Sequence, residues 1–226
     1  SYPHSELEVR ALSVKFLKAA NKNARSKVET LLEENPFSGA DAKSLYSLIA
    51  DSIIKIIVKI VLKIVHILPN PTKSEQMCVL AVGGYGRAEM APFSDIDLLF
   101  LTPYKQTAWG ESVIESILYI LWDLSFKVGY SERTVEDCLR LAKNDITIRT
   151  SLIEKRYLYG EKVLEEELTA RLWTELFRRS GSEFIEAKLI EREQRHRRHG
   201  GSRYMVEPNV KEGKGGLRDL QTLYWI

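Results

Sequence analysis

Apolar residues spaced three and four apart among charged ones predict a first helix over residues 5–33, carried by Leu7, Leu12, Val14, Phe16, Leu17, Val28, Leu31 and Leu32. Asn35-Pro36 and Ser38-Gly39 break it. Asp41 is expected to cap a second helix running to about residue 68, where Pro69-Asn70-Pro71 stops the chain sharply. Its second half reads IIKIIVKIVLKIVHIL, with Asp51, Lys55, Lys59 and Lys63 recurring every four residues. That spacing draws one polar stripe on an apolar cylinder and predicts a core helix with a wet edge. A membrane span needs about 20 mostly apolar residues without such a stripe.

From Met77 the pattern changes. MCVLAV is a short apolar run that ends in Gly83-Gly84, as a buried strand entering a tight turn would. DIDLLFL over residues 95–101 is a second strand, closed by Thr102-Pro103, and residues 85–91 between the two have room for a two-turn helix. Helical spacing returns over residues 109–125. Residues 127–134 form a weaker strand candidate, and residues 135–152 a helix that breaks near Asn144-Asp145. Residues 153–159 read as a further strand, and residues 161–226 as charged helices interrupted by Gly200-Gly201 and by Gly213-Lys214-Gly215-Gly216. The pattern implies an α+β chain in three segments: a helical stretch over residues 1–70, a small mixed sheet with its helices over 71–160, and the start of a helical domain over 161–226.

Composition narrows the function classes. The 33 Lys and Arg balance 31 Asp and Glu to a net charge of +2, too even for a protein that wraps nucleic acid, so any basic site must be local. No nucleic-acid or membrane partner is expected. Cys78 and Cys138 form neither a ligand pair nor a disulfide framework, which suggests a reducing, cytoplasmic setting.

The sharpest chemistry lies in Gly83-Gly84-Tyr85-Gly86-Arg87 and Ser94-Asp95-Ile96-Asp97. Side chains alternate faces along a strand, so Asp95 and Asp97 point the same way from its start. Two such carboxylates repel each other and favour a divalent cation between them. Hard oxygen donors select magnesium, with manganese as the alternative. Glycines after a strand let backbone N–H groups approach a phosphate, Arg87 can pair with a phosphate oxygen, and Ser94 can offer its hydroxyl. A metal pair beside a triphosphate cradle points to phosphoryl or nucleotidyl transfer. The dinucleotide fingerprint fails because Glu89 stands where its third glycine belongs, and no Gly-Lys-Ser/Thr loop is present.

At these residues the sequence resembles the nucleotidyltransferases of the DNA polymerase β superfamily and, within them, the PII-uridylyltransferase family. The narrower resemblance rests on VGGYGRAEMAPFSDIDLLFL, VGYSERTVEDC, SLIEKRYLYG and RHRRHGGSRYMVEPNVKEGKGGLRDLQTLYWI, in that order. It implies a polymerase-β-type sheet domain that transfers UMP from UTP to a tyrosine of the PII signal protein with magnesium, releasing pyrophosphate. Asp95 and Asp97 fall on the metal ligands, Gly83, Gly84 and Arg87 on the triphosphate turn, and Ser94 on the hydroxyl beside it. A third carboxylate is expected on a neighbouring strand, with Glu154 the first choice for catalysis and metal binding, Asp145 in reserve, and Asp123 read as an exposed helix residue. The family's uridylyl-removing and glutamine-sensing domains lie further on, so this stretch is expected to add UMP without removing it. An adenylyltransferase of the same superfamily, or a non-catalytic nucleotide- or PII-binding module, is the alternative.

Two glycine-flanked features complete the reading. Arg192, Arg195, His196, Arg197, Arg198, His199 and Arg203 form the one dense basic patch, which either holds phosphates or an acidic partner or merely ends a helix. Lys214, with Arg218, is a candidate to close over the nucleotide phosphates. Tyr204 and Trp225 read as packing residues.

Overall fold

The computed structural model describes residues 5–104, 107–198, 207 and 209–226. It is an α+β chain with one four-stranded mixed sheet among many helices. It divides into two compact units: Ser1–Cys138 with Glu154–Leu168, and Leu139–Ile153 with Thr169–Ile226.

In the first unit, α1 (Glu6–Glu34) starts at a capping box, in which the Ser5 hydroxyl accepts from the Glu8 N–H and the Glu8 carboxylate accepts from the Ser5 N–H. Helix α2 (Gly39–Ile60) continues into a π turn, Val61–Val65. Asp41 is not its cap. Ser38 holds that position, and Asp41 lies in the first turn, where its charge suits the helix dipole. The polar stripe divides as well: Lys59 and Lys63 are exposed, but Asp51 is only 8% exposed. Among the described residues no helix is long and apolar enough to cross a membrane.

Strand β1 (Cys78–Ala81) is wholly buried and feeds a single-turn helix, α3 (Gly83–Gly86), shorter than the two turns the sequence allowed. Then follow β2 (Ile96–Thr102), α4 (Ala108–Asp123), β3 (Val128–Thr134), α5 (Val135–Asn144), α6 (Ile146–Ile153) and β4 (Arg156–Gly160). The sheet order is β3-β2-β1-β4, with β1 antiparallel to both neighbours and β2 parallel to β3. Val79, Ala81, Ile96, Leu98 and Phe100 share a core with Ile54, Ile57, Val113, Ile117 and Leu121. The alternation of β2 therefore turns Asp97 to the opposite face. Burial pushes the thiols of Cys78 and Cys138 up to about 12, so both behave as small core residues.

The second unit is helical. Helix α7 (Lys162–Arg171) leads into it, a π turn and a 3-10 turn follow, and α8 (Gly181–Arg198) and α9 (Leu217–Trp225) complete it. Asp145 caps α6, accepting from the N–H groups of Thr147 at 2.7 Å and Ile148 at 3.1 Å. Arg149 on α6 donates to the Ser180 carbonyl at 3.1 Å and lies 4.8 Å from the Phe184 ring centroid. Lys188 on α8 sits 4.4 Å from the ring centroid of Trp225, a packing residue as expected.

Candidate active site

The site is built where β1 ends and β2 begins. Gly83 has φ +58°, a conformation that glycine adopts without steric cost. A Cβ there would stand 3.3 Å from Asp97 Oδ2. The Val82 N–H donates to the Asp97 carbonyl at 3.0 Å, which ties the turn to the second residue of β2. On the far side, Gly129 pairs in register with Asp97, and a Cβ at 129 would come within 2.7 Å of Asp97 Oδ1. The carboxylate thus lies between the glycine turn and a gap on β3.

Asp95 is exposed just ahead of the strand. Burial, and then the neighbouring charge of Asp95, raise the Asp97 carboxyl above its usual range. Among the described residues neither acid has an ion-pair partner. Two neighbouring carboxylates without a cationic side chain suit a hard divalent ion.

The structure does not bring Glu154 into that pair. It precedes β4, its side chain is 3% exposed, and it forms an ion pair with Arg87. Among the described residues no three His, Cys, Asp or Glu side chains are placed to hold one metal. The physical reason is local: the Arg87 guanidinium, itself mostly buried, needs a counter-charge, and Glu154 with Glu89 supplies it. Arg87 closes the C-terminal end of α3. Its Nε donates to Glu89 at 3.1 Å and its Nη1 to Glu154, while Nη2 lies 3.6 Å from the place of a Cβ on Gly84. Ser94 closes its own loop, its hydroxyl accepting from the Ala91 N–H at 2.8 Å. Asp123 is paired with Arg10 on α1 at 2.7 Å.

Sequence reasoning missed the polar cluster behind the turn. The two guanidinium ends of Arg156 meet the Asp51 carboxylate, one at 3.0 Å, and the Tyr85 hydroxyl donates to Asp51 Oδ1 at 2.6 Å. Arg156 also donates to the Gly86 carbonyl at 3.1 Å and the Tyr85 carbonyl at 3.2 Å. Burial, then the charge of Asp51, pushes the Tyr85 hydroxyl well above its usual range, so it stays a donor. Gly86 is pressed against the Glu154 backbone, since a Cβ there would meet that carbonyl at 2.1 Å. The available signal was Asp51 itself, the one acid in a row of lysines.

Comparison with known proteins gives the chain its relatives. The model of the GlnD PII-uridylyltransferase family matches residues 183–226. The bifunctional uridylyltransferase/uridylyl-removing enzyme of Cereibacter sphaeroides is 53% identical over 224 residues, covering 99% of this chain and 24% of that protein. The enzymes of the same name from Ruegeria pomeroyi and Caulobacter vibrioides are 54% and 53% identical over 218 and 222 residues, covering 96% and 98% of this chain and 24% of each relative. The chain belongs to the PII-uridylyltransferase family. It spans about a quarter of the length of these relatives.

The family-matched stretch holds the basic segment, and two of its residues are engaged within the second unit. Arg195 is buried and paired with Asp219, His196 Nε2 lies 2.9 Å from Asp219 Oδ2, and Glu212 Oε2 is 3.8 Å from Arg195 Nε. Arg195 is thus matched by carboxylates of its own unit. Arg218 pairs with Glu212 at 3.8 Å and lies 5.8 Å from the Trp225 ring centroid. Lys214 is exposed in the turn before α9. His199, Arg203 and Tyr204 lie outside the described residues.

Proposed function

We propose that this chain is the nucleotidyl-transfer part of a PII uridylyltransferase, moving UMP from UTP to a tyrosine hydroxyl of PII in the cytoplasm. The observation that carries this reading is the Asp97 carboxylate seated against the positive-φ Gly83, with the Asp95 charge beside it. The shared name of the relatives supports it.

Asp95 and Asp97 would hold magnesium, which when bound neutralises the triphosphate and polarises the α-phosphorus for attack. Backbone N–H groups of the Gly83-Gly84 turn and Arg87 Nη2 bind the phosphates. Glu154 and Glu89 hold Arg87 in place for that task. The Ser94 hydroxyl keeps its proton to donate while its oxygen closes the loop. In the transfer the phenolic oxygen bonds to the α-phosphorus, the α–β anhydride bond breaks, and pyrophosphate and the phenol's proton leave.

The test is radiolabel transfer from UTP to purified PII by a protein containing this stretch, with ATP as competitor. Asp95→Ala and Asp97→Ala are expected to abolish transfer while the fold persists. Full activity in either variant overturns the reading, and preferential use of ATP makes the protein an adenylyltransferase instead.

A further inference from the structure

The glycine turn cannot hold its own shape. Helix α3 is four residues long, a single turn, and forming one turn fixes several dihedral angles for very few hydrogen bonds. Gly83, Gly84 and Gly86 contribute no side chains to anchor it. Its shape must be imposed from outside, and the structure shows by what.

We infer that Asp51 and Arg156 are positioning residues that clamp the Gly83–Gly86 turn and thereby set nucleotide affinity. Arg156 uses Nε and Nη2 on the Gly86 and Tyr85 carbonyls, and its guanidinium lies 5.4 Å from the Tyr85 ring centroid. Asp51 orients that guanidinium through both carboxylate oxygens and accepts the Tyr85 hydroxyl as well. One residue from α2 and one from β4 therefore meet on a turn that lies 34 positions from the first and 71 from the second. The guanidinium fork is essential because a lysine ammonium, a point charge, cannot span the carboxylate and two carbonyls at once. The clamp grips the carbonyls of Tyr85 and Gly86 and leaves the N–H groups of Gly83 and Gly84, at the end of the turn where Gly83 meets Asp97, for the phosphates.

This inference rests on the nucleotidyl-transfer reading, and the experiment separates the two. Binding of magnesium UTP to the purified chain is measured by calorimetry for the native protein, Asp51→Asn, Arg156→Lys and Asp95→Asn, alongside thermal unfolding. Arg156→Lys keeps a cation beside Asp51 but loses the carbonyl bonds, so its dissociation constant is expected to rise about tenfold or more while most molecules stay folded. Asp51→Asn is expected to weaken binding similarly, and both variants shift the Gly83, Gly84 and Gly86 amide resonances. A merely structural pair would reduce the number of competent sites without changing the dissociation constant of those that remain. Native-like affinity in both variants, with magnesium-dependent binding lost in Asp95→Asn, overturns the clamp and leaves the reading standing. Failure of the native chain to bind magnesium UTP overturns the reading and the clamp together.

Discussion

Asp97 and Asp219 are both partly buried carboxylates, and their surroundings treat them in opposite ways. At Asp97, burial and the charge of Asp95 both oppose ionisation, and no described side chain offsets them. At Asp219, burial also opposes ionisation, but hydrogen bonds from the Gly215 N–H, His196 and Arg195 outweigh it and hold the carboxyl below its usual range. The first is a charge the fold leaves unmatched; the second is a charge the fold has matched three times over. An unmatched buried charge weakens the protein unless something else binds there, whereas a matched one ties two elements together. The contrast fits the ligand role proposed for the first unit's acids, and it makes Asp219 the residue that ties Arg195 and His196 of α8 to α9.

The largest expected effect comes from Asp97→Asn. Removing one of two proposed metal carboxylates should reduce transfer by about a thousandfold or more. The same change removes a charge that its surroundings oppose, so the thermal midpoint in metal-free neutral buffer should rise. Calorimetric melting with and without magnesium checks this. A lowered midpoint in metal-free buffer would mean that Asp97 is matched after all, and the comparison would fail.

Asp219→Asn should do the reverse, costing about 2–3 kcal/mol by leaving Arg195 and His196 without their shared partner. The pH dependence follows from the sign of the shift. A carboxyl held low when folded contributes stability that is complete above its ordinary value of 3.8 and is lost as pH falls through the lower folded value. Urea unfolding from about pH 5 down to about pH 2 should show that loss in the native chain and not in Asp219→Asn.

How much of this was legible in advance follows the range of the interactions. The strands at Met77 and Asp95, the glycine turn and the break at Asp145 depend on neighbours in sequence, and periodicity exposed them. That Asp97 stands close to the glycine turn was readable for the same reason. Asp51 was misread as part of a wet stripe because its partner Arg156 is 105 positions away. Arg195 looked available because Asp219, 24 positions on, is the residue that claims it. Glu154 looked like a strand carboxylate, but the strand begins two residues later and Arg87 holds its side chain. Helical spacing reveals which residues share a face; it does not reveal which distant charge meets them there.

Gly129 sharpens the Asp97 side of the comparison at smaller cost. An alanine there must displace Asp97 Oδ1, since 2.7 Å is closer than a methyl group tolerates. The carboxylate can rotate away, so Gly129→Ala should cost only about 1 kcal/mol of stability. Rotation spoils its geometry toward a cation, however, so magnesium dependence should shift to higher concentration. A magnesium titration of transfer activity checks this, and an unchanged titration would mean that Oδ1 is not the coordinating oxygen.

The smallest effect tests where strain is stored. Ala88, directly after Arg87, has φ +58°, one of two positive-φ non-glycine residues among those described. Left-handed backbone costs a side-chain-bearing residue about 1–2 kcal/mol, and glycine recovers that less its own chain entropy. Ala88→Gly should therefore add about 0.5–1 kcal/mol to stability, read as a rise in the urea midpoint with an unchanged slope. If the strain serves only to complete the fold, nucleotide affinity will not move. If it helps hold Arg87 over Gly84, the variant will be more stable and bind magnesium UTP less tightly. That second outcome would put the turn in the class proposed for Asp97, a feature retained at some expense of stability because a ligand uses it.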